Sequence, residues 1–68
     1  MNEIIKTWLI NIYEEAISEA RMSIRNEHIW ELGYDDSEDD YNPHTANIIN
    51  LQEYIKILTE KIAELETE

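Results

Sequence analysis

The sequence predicts an all-α fold, an antiparallel two-helix hairpin that pairs into a four-helix bundle, and three observations predict it. Between Asn47 and Glu66, residues Ile48, Leu51, Ile55, Leu58, Ile62 and Leu65 recur at spacings of 3, 4, 3, 4 and 3. That is a heptad seam with Ile at every a position and Leu at every d position, the pattern of a helix that meets a partner helix along its length. The N-terminal half has its own helical period. Between the halves lies an acidic break bracketed by the only glycine and the only proline of the chain.

Helix 1 is expected over about residues 3–32. Asn2 caps it, and Glu3 lies in the first turn, where the positive end of the helix dipole favours an acid. From there Ile5, Trp8, Leu9, Ile12, Tyr13, Ala16, Ile17, Ala20 and Ile24 project onto one broad face, close to half the circumference at about 100° per residue. A face that wide touches more than one neighbour. No glycine or proline interrupts the pattern before Gly33, which is expected at C′ in the left-handed conformation, with Tyr34 packing back on Ile29.

Residues 34–42 are expected to form a loop. Asp35, Asp36, Glu38, Asp39 and Asp40 place five acids in six residues, with nothing apolar among them to hold a core. Asn42-Pro43 then reads as an N-cap followed by proline at the first helical position, where its missing N–H costs nothing. Helix 2 follows over about 43–66. Glu64, Glu66 and Glu68 face the negative end of its dipole, so its C-terminus is expected to fray.

There is no repeat and no strand pattern, so residues 1–68 read as one domain. At 68 residues a single core supplies only about 3 to 5 kcal/mol, and small chains turn to disulfides, metals or oligomerisation. Without cysteine there is no disulfide or thiolate site, and two histidines alone do not close a structural zinc site. Self-association remains. Apolar residues outside the seam, Ile49, Tyr54 and Ile57, point the same way: two hairpins forming a bundle bury them. The competing architecture is a parallel coiled coil of helix 2.

Sixteen acidic residues against five basic ones give a formal net charge of −11. Such a field repels nucleic acid and anionic membranes and attracts basic partners. No apolar run approaches the roughly 18 residues of a membrane span, and the first residues mix acids with apolar positions without a cleavage-type site. A cytoplasmic protein is expected.

No catalytic constellation emerges. Asp35, Ser37 and Asp39 alternate as in a calcium loop, but Asp40 replaces the required glycine and Ala46 the bidentate glutamate. His28 and Glu31 stand in the reverse of the Glu-x-x-His order of di-metal bundles, and His28 reads as solvated. His44 is expected to pair with loop carboxylates. The stretch Leu51, Gln52, Glu53, Tyr54, Ile55 resembles the Ser-Gln-Glu-Leu-Asp signature of the small aspartyl-phosphate phosphatases of sporulation only at Gln52 and Glu53. Leu51 and Ile55 stand where that family has Ser and Asp, so its activity is not carried over. Neither an enzyme nor a cofactor is expected.

Two surfaces are candidate binding sites. One is the acidic cluster Asp35, Asp36, Glu38, Asp39 and Asp40, helped by Glu14, Glu15 and Glu19. The other lies on helix 1, where Met22, Arg25 and Ile29 mix an adaptable apolar side chain with a guanidinium. The expected function is a dimeric, acidic inhibitor that blocks a nucleic-acid-binding protein or nuclease with carboxylates in place of phosphates. In size and acidity it is similar to the small inhibitors that phages and mobile elements encode. The competing expectation is an assembly adaptor that adds its helices to a partner's bundle.

Overall fold

The two apolar periods become two helices that lie along one another. In the computed structural model, which describes residues 2–35 and 41–68, α1 spans Glu3–Gly33 and α2 spans Pro43–Glu66. They form a hairpin with principal extents of 54 × 16 × 10 Å and a radius of gyration of 16.1 Å. A compact chain of this length would have a radius of about 11 Å. The protein is a rod, and a rod two helices thick has almost no interior.

What interior there is comes from the two seams. Ile48, Leu58 and Leu65 of α2 are buried and Leu51, Ile55 and Ile62 half-buried, all turned toward α1. Opposite them Ile17 and Ala20 are buried, with Ile10, Tyr13 and Ile24 half-buried. The spacing from Ile10 to Ile24 is 3, 4, 3 and 4 after Tyr13 is counted in, a second heptad seam hidden inside the wider stripe of α1. The seam of α2 is thus used within the chain and is not the free edge of a parallel coiled coil. Burying each of these Ile and Leu side chains contributes about 1.5 to 3 kcal/mol, scaled down where burial is partial.

The helix ends are closed mainly by side chains. Asn2 Oδ1 accepts from the Ile4 and Ile5 N–H groups at 2.8 and 3.4 Å. Asn42 Oδ1 accepts from the His44 N–H at 2.9 Å, and Pro43 occupies the first turn of α2. The end of α1 differs from the expected glycine cap. Gly33 remains inside the helix with a negative φ, and Tyr34 follows in extended conformation. In place of that cap the Glu31 carbonyl takes two donors, the Tyr34 N–H at 3.3 Å and Asn42 Nδ2 at 3.3 Å. Tyr34 packs its edge against His44 and not on Ile29, which stays exposed.

The far end of α2, where glutamates oppose the dipole, is also held. Thr67 donates from its N–H to Ala63 at 3.2 Å and from its hydroxyl to Glu64 at 3.0 Å, while Lys6 Nζ donates to the Glu68 carbonyl at 3.2 Å. Burial of Leu65 beneath these bonds pins the last turn to the start of α1.

Candidate interaction surfaces

The seam of α1 does not stop at Ile24; it continues with glutamates. Glu27 and Glu31 occupy the next two seam positions and face the first turns of α2. His44 donates its Nδ1–H to Glu27 Oε2 at 2.6 Å, and Asn47 Nδ2 donates to the same oxygen at 3.3 Å. The Thr45 hydroxyl donates to Glu31 Oε2, and His28 Nδ1 lies 3.3 Å from Glu31 Oε1. An ionised carboxylate accepts only, so the bond to Glu27 places the proton of the imidazole on Nδ1. Both carboxyls are held below their ordinary range: Glu27 mainly by the hydrogen bond from His44, Glu31 by that from Thr45 and then by His28. The His44 ring also meets Trp30 and Tyr34 edge to face, with centroids 5.6 and 5.8 Å away.

This polar layer corrects one expectation. His44 pairs with Glu27 on α1, because the antiparallel register puts the first turn of α2 beside the glutamates of the α1 seam. Where the apolar stripe of α1 gives way to Glu27 and Glu31, α2 meets it through hydrogen bonds. The signal was legible: polar residues at both seams, Glu27 and Glu31 on one helix and His44 on the other, at the end where the two meet.

Of the acidic candidates, Asp35 is exposed at the end of α1. Asp36, Glu38, Asp39 and Asp40, and Ser37 of the calcium-like pattern, lie outside the described residues. Glu14, Glu15 and Glu19 are exposed along α1. Among the described residues, no three His, Asp or Glu side chains are arranged to hold a metal ion.

The second candidate patch is open within the hairpin. Met22 and Ile29 are 64% and 62% exposed and Arg25 is exposed beside them. Met22 and Ile29 step about 180° from the α1 seam, so they face directly away from α2, with Arg25 to one side of them. They are not alone. Ile4, Trp8, Trp30, Leu32 and Ile49 are each more than half exposed, and Ile5, Ile12, Tyr54 and Ile57 lie between 41% and 50%. Scattered apolar side chains are ordinary on a surface, but here they outnumber the buried ones on α1 and equal them on α2. The residues read as a binding surface are therefore part of a larger apolar exposure that sequence reasoning recognised on α2 and undercounted on α1.

No helix among the described residues is long and apolar enough to cross a membrane. No family model, curated protein or solved structure matches this chain.

Proposed function

We propose that this is a non-catalytic interaction protein that works by burying its exposed helix faces in a helical bundle, pairing with itself into four helices and offering the remaining faces to a protein partner. One observation carries this reading. The described core is Ile17, Ala20, Ile48, Leu58 and Leu65, while two tryptophans and most of the remaining large apolar residues stand at the surface of a rod. A helix pair that buries so little of its apolar inventory is half of a bundle, by the same area rule that drives folding.

The second reading, an acidic inhibitor that offers carboxylates to a basic nucleic-acid-binding site, is favoured by the net charge of −11 and by Glu14, Glu15 and Glu19 exposed along the rod. Both readings place the work at a protein surface. They differ in what holds the partner.

Capture of partners from nuclease-treated lysate, with elution in rising salt, separates them. A partner that survives high salt and is lost on Met22→Lys with Ile29→Lys supports bundle completion. Release at moderate salt, with loss of binding when Asp35, Asp36, Glu38, Asp39 and Asp40 are replaced by Asn and Gln, supports carboxylate mimicry and overturns bundle completion as the working mode.

A further inference from the structure

The molecule indicates which face a second copy covers. The directions of the two seams are set: Ile17 and Ala20 point at α2, Ile48 and Leu58 at α1. The register is set by Lys6 beside Glu68 at one end and Glu27 beside Asn47 at the other. Stepping about 100° per residue from those directions puts Ile5, Ile12 and Ala16 on one flank of α1 and Tyr54, Ile57 and Lys61 on the flank of α2 that shares the same side. The Glu27 to Asn47 bond crosses on that side, since Asn47, Tyr54 and Lys61 are seven residues apart. The opposite flank carries Thr7, Glu14, Arg21, Gln52, Thr59 and Glu66 beside the seam, and its outer apolar side chains, Ile4, Leu32 and Ile49, are spread toward the ends of the rod and form no continuous patch.

We propose that the Ile5, Ile12, Ala16, Tyr54, Ile57 flank is the interface between two copies of this chain, which pack it face to face about a two-fold axis. This rests on the bundle reading above and names its first partner and surface. Exposures of 41% to 50% at the four large residues suit flank positions, half covered by the neighbouring helix and open on the other side. The area agrees. The chain exposes 5382 Å², whereas a compact monomer of 8.1 kDa exposes about 4,500 Å². The excess of about 900 Å² matches the roughly 800 Å² that each partner buries in a standard interface.

Charge on this flank can be matched by a second copy. Two chains of −11 repel, so an interface between them has to set its carboxylates against basic groups. Glu19 and Glu64 lie on this flank, at the same helical positions as Ile12 and Ile57, and Lys61 lies between them. An isologous pairing repeats each feature twice, so Lys61 of one copy is set against the flank carboxylates of the other.

Sedimentation equilibrium of the full chain through the micromolar range is the test, with helicity followed by circular dichroism. A mass of twice 8.1 kDa is expected. Ile57→Glu is expected to raise the dissociation constant about a hundredfold or more, since it buries an unpaired charge twice per dimer. Lys61→Glu, which leaves every apolar side chain in place, is expected to weaken the dimer in a salt-dependent way, and Met22→Lys to leave it unchanged. A monomeric wild-type chain overturns the proposal while leaving partner binding to be judged by capture. A dimer that resists Ile57→Glu and Lys61→Glu but dissociates with Met22→Lys overturns the assignment of the face and leaves the bundle reading standing.

Discussion

His44 Nδ1 lies 2.6 Å from Glu27 Oε2, and this bond joins the first turn of α2 to the point where the apolar seam of α1 ends. It substitutes a hydrogen bond for the hydrophobic contact that the heptad pattern stops supplying. Because that bond holds the Glu27 carboxyl below its ordinary value of 4.5, it makes the loop end of the hairpin acid-sensitive. A depressed folded-state value means the stabilisation is complete above the unfolded value and is lost as pH falls through the folded one. Between about pH 6 and pH 3 the melting temperature of wild type is expected to fall further than that of Glu27→Gln, measured by circular dichroism at fixed ionic strength. Parallel curves for the two proteins would contradict this linkage.

Asn42 serves both helices at once, giving Oδ1 to the His44 N–H and Nδ2 to the Glu31 carbonyl. Asn42→Ala is expected to cost about 1 to 2 kcal/mol in urea unfolding, at the upper end for a cap. Asn2→Ala, whose side chain serves α1 alone, is expected to cost less.

Gly33 is helical and has nothing within 4 Å of where a Cβ would stand. Gly33→Ala is therefore expected to stabilise the hairpin by about 0.5 to 1 kcal/mol, because alanine loses less backbone freedom on folding than glycine. A left-handed glycine would give the opposite sign. The thermal shift of this one variant decides between the two caps.

Leu58 is buried in the centre of the seam, whereas Met22 is exposed on the far side of α1. Leu58→Ala is expected to cost about 2 to 5 kcal/mol, comparable to the whole stability of about 3 to 5 kcal/mol that so small a core supplies. Most of the helical signal should disappear at low protein concentration. Met22→Ala should stay within about 0.5 kcal/mol of wild type, as surface changes do.

The sequence by itself determined the helices and their starts. Asn2, Asn42 and Pro43 mark helix starts by chemistry that involves only neighbouring backbone groups, and the 3,4 spacing from Ile48 to Leu65 marks the inward face of α2 because the helix period is a property of the backbone. Local rules carry such information completely. Tertiary structure decided the rest: that the inward stripe of α1 is the narrow seam from Ile10 to Ile24, that Glu27 and Glu31 extend it, and that the Glu31 carbonyl is satisfied by Asn42 and the Tyr34 N–H. Each of these depends on which residue of the other helix stands opposite, and the antiparallel register that sets those neighbours is fixed only when the whole of both seams packs together. The wide apolar face of α1 announced more than one neighbour; only the packed hairpin distinguishes the part that α2 covers from the part, Ile5 and Ile12 with Tyr54 and Ile57, that it leaves open.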